Sequence, residues 1–264
     1  MLEDWHPKKQ AQRGRPKLYS DLAIETCLVI RQVYHLPLRQ TEGFLHSLIR
    51  LMGLPITVPD YTTLSNRSLS LEFVDLAETV ESGSHMLIDS TGLKVYGHDE
   101  WHQAKHAVKA RRTWRKLHIA INENHYITAS DLTDNSTGDP SVIDKLLEQI
   151  KDADTVMADG AYDGEPTYQK LNEKNENVTV IIPPPKNAII DDKKNPQRNE
   201  HVNFIKEHGR RAWEKINQYG LRSLVELAML RYKTIIGPKL KARSLPQQKT
   251  EADVSVRVLN KMTS

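Results

Sequence analysis

Two aspartates follow strand-like stretches of the sequence. Asp89 comes after the apolar residues of "MLIDST", and Asp159 comes after those of "DTVMADG". We predict that each lies at the C-terminal end of a β-strand, where open α/β sheets bind ligands. If the two strands are neighbours, the carboxylates face each other, and such a pair is unfavourable unless a cation lies between them. Hard oxygen ligands favour Mg²⁺ or Mn²⁺ over zinc, although each aspartate alone is also typical of a helix cap or a turn.

A third acid lies in "YGLRSLVELAMLRYK", residues 219–233, whose apolar residues predict an amphipathic helix. At about 100° per residue, Tyr219, Arg222, Glu226 and Lys233 fall along one narrow stripe of that helix. An acid, two bases and a phenol on one side of such an apolar helix indicate a polar site. A third carboxylate also weakens the interpretation of the two aspartates as caps.

The net charge is only +3, but the basic residues are clustered. Each of the segments 8–17 and 231–243 contains five Lys or Arg and no acid, and the segment 94–118 contains seven against two acids. Three separate basic clusters favour a polyanion partner, and together they indicate nucleic acid more than solvated surface. From the middle cluster we assign four candidate DNA contacts: Arg111, Arg112, Arg115 and Lys116.

Composition narrows the class of protein. The chain has 264 residues, of which 38% are hydrophobic and 27% charged, and this predicts a globular protein. No run of apolar residues has the length of a membrane span, and the N-terminus has no signal-peptide core. Cys27 is the single cysteine and lies in an apolar run, which indicates packing in a reducing compartment. We therefore expect a cytoplasmic protein with no membrane partner.

The elements that must position these residues change along the chain. Residues 18–68 predict three helices behind a basic leader, as in a helix-turn-helix-like DNA-binding unit. After residue 84 the patterns predict three antiparallel strands, then helix, strand, helix, strand and helix. This order predicts an α/β fold with a mixed sheet and helices on both faces. The first and fourth strands, which carry the two aspartates, can be neighbours in such a sheet.

The spacing of the stripe also identifies a family. Tyr219, Arg222, Glu226 and Lys233 reproduce the pattern Y-x2-R-x3-E-x6-K, and "IDST", "RRTWRKLHIAIN" and "MADGAYDGEPTYQ" accompany it. With these motifs the sequence resembles the DDE transposases of bacterial insertion sequences, in the group typified by insertion sequence five. The resemblance covers about residues 13 to 243.

This resemblance implies a ribonuclease H-like fold and an enzyme that cuts and joins DNA at terminal inverted repeats. It implies a catalytic and metal-binding triad of three acids: Asp89, Asp159 and Glu226. Two Mg²⁺ or Mn²⁺ ions held there can clamp the attacking and leaving oxygens of a phosphoryl displacement. It also implies contacts to the DNA strand end and its phosphates from three further residues: Tyr219, Arg222 and Lys233.

We expect three regions: residues 1–83 form the basic leader and helical DNA-binding region, 84–244 the ribonuclease H-like catalytic domain, and 245–264 a polar C-terminal tail. The expected assembly is a homodimer in a synaptic complex with element ends and target DNA, associated with the nucleoid. One alternative is an N-terminally shortened, transposase-derived DNA-binding protein without productive transposition. Another is a structure-specific nuclease, which the intact stripe disfavours.

Several other polar residues remain open to more than one interpretation. His98, His102 and His106 recur every four residues, which is helical ligand spacing, but their basic surroundings favour DNA or solvent over zinc. His118 is expected either in the core or near the site. Asp163 is predicted to cap the following helix.

Overall fold

The computed structural model describes residues 4–7, 16–71, 73, 76–79, 84–95, 114–150, 153–190 and 195–263. Five residues with sequence-based predictions lie outside these ranges: Arg111, Arg112, His98, His102 and His106. Among the described residues, no helix combines the length and apolar character needed to cross a bilayer.

The described chain begins with the three predicted helices: α1 (Asp21–Val33), α2 (Leu38–Leu51) and α3 (Tyr61–Arg67). Capping sets where two of them start, because the side chains of Ser20 and Asp60 accept hydrogen bonds from backbone N–H groups three residues ahead. A short 3₁₀ helix over Ser68–Ser70 and the single-turn α4 (Leu76–Thr79) follow. The prediction of three helices in this region is confirmed.

The sheet has the mixed character that was predicted. Its strands are β1 (His85–Val95), β2 (Trp114–Ile121), β3 (Ile127–Asp134), β4 (Thr155–Ala158), β5 (Thr179–Ile181) and β6 (Lys239–Leu240). The order across the sheet is β3-β2-β1-β4-β5, and β6 pairs with the C-terminal end of β1. The strands β1, β2 and β3 pair antiparallel, whereas β4, β5 and β6 join in parallel. The first and fourth strands are therefore neighbours.

Helices cover both faces of this sheet. They are α5 (Ile143–Gln149), α6 (Glu165–Lys174), α7 (Pro196–His208), α8 (Arg210–Ile216), α9 (Ser223–Arg231) and α10 (Leu245–Lys261). Because side chains alternate along a strand, Leu87 and Leu93 of β1 pack with α1, α9 and α10, while Met86 and Ile88 pack with α5 and α6. The α1 helix thus shares a hydrophobic core with one face of the sheet.

Residues 219–233 do not form the single α-helix that was expected. A 3₁₀ helix spans Tyr219–Arg222, α9 follows, and a π-helical turn spans Tyr232–Ile236. The three helix types turn by different angles per residue, so a constant 100° does not describe the whole segment. The side chains of Arg222 and Glu226 nevertheless meet, because they lie four residues apart where α9 begins.

The segment expected to be a polar tail, residues 245–264, instead forms α10, which packs against α1 and β3. Its apolar residues, including Val254 and Leu259, are buried in the core. Many of its polar residues are buried as well and are satisfied by specific partners: the Ser255 hydroxyl accepts from Gln32, and the Asn260 amide bonds the backbone of Ile127. The polar composition of this segment therefore did not indicate a core helix. Its buried polar groups form hydrogen bonds within the protein in place of hydrogen bonds to water.

Candidate active site

The ends of two parallel strands place Asp89 beside Asp159. Ile88 and Ala158 form the last pair of the β1–β4 ladder, so the two aspartates come next on neighbouring strands. Both lie on the face covered by α9, because Leu87 and Met157, two residues earlier, belong to the core on that face. Asp89 does not end its strand as predicted. β1 continues past it to Val95, since β2 and β6 still supply hydrogen-bonding partners.

The carboxylate of Asp89 is held by two donors. Its Oδ1 accepts the backbone N–H of Ser90 at 2.7 Å, and its Oδ2 accepts Nη1 of Arg222 at 2.8 Å. Burial raises the pKa of Asp89 above its ordinary value, and the nearby charge of Asp159 adds to that rise, whereas the Ser90 N–H and the Arg222 guanidinium oppose it. A crowded, largely buried carboxylate of this kind is stabilised by a cation.

Asp159 acts as a helix cap and also lies beside Asp89, so both interpretations of it hold. Its Oδ1 accepts the backbone N–H of Ala161 at 2.8 Å, where the 3₁₀ helix Gly160–Tyr162 begins. Gly160 keeps this turn close to the neighbouring loop, since a Cβ there would lie 3.2 Å from the carbonyl oxygen of Pro183. The turn therefore fixes the backbone on which the second aspartate stands.

Arg222 brings the third acid to the pair. Its guanidinium donates to Asp89 from Nη1 and to Glu226 from Nη2, so one cation bridges a strand and a helix. The Glu226 side chain is 55% exposed, whereas that of Asp89 is 14% exposed. The site therefore opens to solvent on the α9 side, with Arg222 between two of the three predicted acids.

Tyr219 anchors the start of this helical segment to the end of β4. Its hydroxyl donates to the carbonyl of Ala158 at 3.1 Å, and its ring lies 5.3 Å from that of Trp213. Burial raises the pKa of Tyr219 to about 12, so the phenol stays protonated and remains a donor. Trp213 is fully buried and donates from Nε1 to His201, so it packs in the core beside Tyr219.

The other predicted DNA contacts are placed differently. Lys233 lies in the π-helical turn. Its ammonium group makes no hydrogen bond or ion pair with the part of the chain that the structure describes. Arg115 donates to Asp134 and to Gln248, and Lys116 donates to Asp139 and to the Thr137 carbonyl. The structure thus commits Arg115 and Lys116 to internal contacts and leaves the ammonium group of Lys233 available.

A second polar cluster lies on the opposite face of β1, and sequence reasoning missed most of it. The Asp139 carboxylate accepts from Lys116 at 3.1 Å and from the Ser90 hydroxyl at 3.2 Å. His118 is fully buried and its Nδ1 lies 3.7 Å from Asp139, while burial lowers the pKa of the imidazole. This cluster contacts β1 at Ser90, the residue that follows Asp89. No sequence signal marks Asp139, because an acid before a proline is also typical of a helix start.

Tyr162 connects this cluster with the aspartate pair. Its hydroxyl is buried, and burial raises its pKa far above the ordinary value. The charges of Asp139, Asp89 and Asp159 raise it further, so all three carboxylates act on this phenol. The neutral phenol therefore lies within the influence of the three acids without adding a charge.

Asp163, expected as a helix cap, has a different role. Gly164 precedes α6, and the Asp163 carboxylate instead accepts two hydrogen bonds from Nε and one from Nη2 of Arg198, at 2.8 to 3.1 Å. The prediction failed because Arg198 lies on α7, 35 residues later, and the pairing depends on tertiary structure. The bidentate pair ties the loop after Asp159 to α7.

The acids have the chemistry of a site for a hard cation. The described residues contain no group of three or more His, Cys, Asp or Glu side chains already placed to hold a metal ion. The carboxylates of Asp89 and Glu226 instead converge on the guanidinium of Arg222, which supplies the positive charge between them. Oxygen ligands beside a solvent-open position suit a divalent metal once the arginine gives way.

Comparison with known proteins identifies the family of the chain. Residues 81–260 match a family described as a transposase DDE domain, and residues 1–98 match a second family with the same description. The chain is also similar to a solved structure described as the "Cryo-EM structure of piggyBac transposase synaptic complex with hairpin DNA". That similarity has a TM-score of 0.39 and 9% sequence identity, and it covers 97% of this chain and 69% of that chain.

These matches do not favour the alternative of a DNA-binding protein without transposition. Enzymes with such domains generally use divalent metal ions and act on DNA. The chain therefore belongs to the DDE transposase family, and it is a metal-dependent enzyme that cleaves DNA and transfers the cut strands.

Proposed function

We propose that Asp89, Asp159 and Glu226 are the catalytic acids of this transposase and hold two divalent ions, Mg²⁺ or Mn²⁺. The observation that carries the proposal is that Arg222 joins the carboxylates of Asp89 and Glu226, while Asp159 follows the end of the β1–β4 ladder next to Asp89. Two ions bound there would activate the attacking oxygen and stabilise the leaving oxygen of a phosphoryl displacement. Three carboxylates supply the charge that such ions require.

The protein's own side chains around the acids support the same reaction. Arg222 already reaches the acids, and its planar guanidinium suits a bidentate phosphate contact once DNA is present. Lys233 offers a point charge from the same helical segment. Tyr219 holds the segment against the end of β4. Its ring would also contact the DNA strand end.

In the proposed reaction, water attacks a phosphorus at the element end. The bond from phosphorus to the 3′ oxygen breaks and leaves a free 3′-hydroxyl. That hydroxyl then attacks a phosphodiester of target DNA, which breaks one bond and forms one. Each step exchanges one phosphorus–oxygen bond for another, so no oxidant or energy source is needed.

The finer assignment follows the sequence motifs. We propose a ribonuclease H-like catalytic domain over residues 84–244 and a member of the insertion-sequence-five group acting at terminal inverted repeats. Residues 1–83, with their basic leader and three helices, would bind DNA. The active assembly would be a homodimer in a synaptic complex on nucleoid DNA. Residues 245–264, which were expected to form a tail, would stabilise the fold, because much of α10 is buried.

The test compares two asparagine substitutions at opposite ends of β4. Purified protein is incubated with Mg²⁺ and a labelled duplex that carries the terminal repeats found beside the gene. We expect strand cleavage by the unaltered protein and a loss of roughly 10²-fold or more in Asp159→Asn, the scale observed when one electrostatic group is removed from an active site. The matched control is Asp154→Asn, an exposed residue just before the other end of the strand.

Two results would contradict the assignment. Cleavage that survives in Asp159→Asn would exclude this residue from the reaction. Equal losses of cleavage in both variants, with unchanged folding by circular dichroism, would show that the loss does not depend on which aspartate is replaced. Cleavage that is retained in Asp154→Asn and lost in Asp159→Asn supports the proposal.

A further inference from the structure

A cavity of about 230 Å³ lies between the N-terminal helices and the segment that follows β6. Its cationic lining consists of Arg31 at the end of α1 together with Lys241 and Arg243. Hydroxyl and amide groups complete the polar lining: Gln32, Ser65, Ser68, Gln247 and Thr250. The volume is below the roughly 300–1,000 Å³ of pockets for drug-sized ligands, so it suits one small group.

The positive charge in this cavity is not balanced by its acid. Glu251 is the acidic lining residue, and its carboxylate accepts the backbone N–H groups of Lys241 and Ala242 at 2.8 to 3.0 Å. Its hydrogen bonds therefore hold the loop after β6. Against this one acid stand three cations, which leaves an excess of positive charge in a cavity that is partly open to solvent.

The cationic groups also have free donors. Among the described residues, the buried Nε of Arg31 has no hydrogen-bond partner, and the guanidinium of Arg243 makes no hydrogen bond or ion pair. Lys241 donates from Nζ to the carbonyl of His35 at 3.0 Å. Burying a donor or a charge without a partner is unfavourable, so a ligand that accepts these hydrogen bonds would be stabilised.

The pKa shifts show the same imbalance. Burial lowers the pKa of Arg31, and it also lowers the pKa of Lys241, which the neighbouring charge of Arg31 lowers further. Glu251 acts in the opposite direction on both and does not cancel the effect. An anion in the cavity would relieve this repulsion.

The position of the cavity connects it with the candidate active site. Lys241 directly follows β6, which pairs with the C-terminal end of β1. Along β1, the distance from Asp89 to Val95 is about 20 Å at the usual rise per residue. Gln248 links the cavity loop to the sheet, because it donates to the Ala242 carbonyl and accepts from Arg115. A phosphate held here would lie a few nucleotides from the cleavage site.

We propose that this cavity is a phosphate-binding site in which Arg31, Lys241 and Arg243 hold a phosphate of the DNA backbone remote from the point of cleavage. The assignment to DNA rests on the proposed function, whereas phosphate recognition rests on the cavity itself. Arg31 supplies the planar donor group, and the hydroxyl and amide groups of the lining supply further donors. Binding there would set the direction in which DNA leaves the catalytic acids.

Two binding measurements with the full chain test the site. The first follows the melting temperature of the protein with inorganic phosphate, against chloride at equal ionic strength. The second follows the anisotropy of a labelled duplex over a range of salt concentrations, without metal. Both use Arg31→Gln, and Arg243→Gln serves as a second variant because the Arg243 side chain is exposed. Lys261→Gln, exposed at the far end of α10, is the matched control.

We expect phosphate to raise the melting temperature of the unaltered protein and of Lys261→Gln, and to have little effect on Arg31→Gln or Arg243→Gln. For DNA, each cavity variant should weaken binding several-fold and reduce the salt slope by about 1, whereas Lys261→Gln should leave it unchanged. Phosphate binding that depends on Arg31 while the DNA curves coincide would overturn the DNA source and leave free phosphate as the ligand. Unchanged binding of both probes would overturn the site.

The outcome of these binding tests can be distinguished from the outcome of the cleavage test. If the unaltered protein cleaves DNA and the cavity variants bind both probes normally, the cavity inference fails and the proposed function stands. If phosphate binding depends on Arg31 but the protein does not cleave DNA, the anion site stands and the catalytic assignment fails.

Discussion

Arg222 joins two of the candidate acids. Its guanidinium contacts a carboxylate on β1 and another on α9, and its distance to Oδ2 of Asp89 is 2.8 Å. A divalent metal and this arginine would compete for the same oxygens. The arginine therefore serves as an internal counter-ion for both acids.

This competition predicts a specific effect of Arg222→Gln on stability. Without its counter-ion, the largely buried carboxylate of Asp89 repels its neighbour Asp159, so the variant should be less stable in the absence of metal. Addition of Mn²⁺ should then raise its Tm more than that of the unaltered protein, with each kcal/mol worth roughly 2–4 °C in a domain of this size. Thermal unfolding with and without Mn²⁺ measures the difference.

The control is Arg210→Gln, which breaks a similar pair with Glu214 four residues away on α8. That pair is not among the candidate acids, so Mn²⁺ should affect this variant as it affects the unaltered protein. An equal response of all three proteins would show that Arg222 does not compete with metal.

At the scale of elements, the loop after β4 depends on α7. Asp159 stands at the start of this loop, and four residues later the Asp163 side chain is only 1% exposed and pairs with Arg198 of α7. The charge of Arg198 is what makes burial of that carboxylate tolerable. The helix thus positions one catalytic candidate without contacting it.

Replacement of Arg198 by methionine should therefore destabilise the protein strongly. The carboxylate of Asp163 would remain buried and unpaired, at a cost in the free energy of unfolding of about 3–5 kcal/mol. Lys170→Met is the comparison, because it breaks a more exposed pair with Asp144 between α6 and α5, worth about 1 kcal/mol or less. Urea unfolding measures both values. A small loss in the Arg198 variant would mean that solvent reaches the carboxylate.

At the scale of the whole molecule, the N-terminal helices and the sheet share one core. Trp5 and α1 belong to the same hydrophobic cluster as Trp213 and the α9 face of β1. The buried bond from Gln32 to Ser255 adds a polar link between α1 and α10. The proposed boundary near residue 83 therefore does not separate two independently packed units.

A shared core predicts one cooperative unfolding transition. Two variants would each keep one tryptophan, Trp5 or Trp213, with phenylalanine at the other three tryptophan positions. Because both indoles report the same core, their fluorescence should change at the same urea concentration, as expected for two-state unfolding. Separate midpoints would show that residues 1–83 unfold independently. Far-UV circular dichroism on the same samples shows whether either probe misses a transition.

Much of the fold was predictable from local pattern. Caps, turns and apolar periodicity located the helices α1 to α3 and the order of the first five strands along the chain, because each depends on nearby residues. The polar composition of α10 misled the prediction, since the partners that satisfy its buried groups lie more than 100 residues away in the sequence, as for Gln32 and Ser255. Composition alone cannot show that such partners exist.

The same division holds at the candidate site. The sequence by itself determined the family and proposed the three acids, because residue types and their spacing can be read without a structure. Tertiary structure alone decided that Asp89 lies within its strand, that Arg222 joins two of the acids, and that Arg31 and Lys241 line one cavity. These relations join residues that are distant in the chain, and only the pairing of β1 with β4 and the packing of α9 and α10 bring them together.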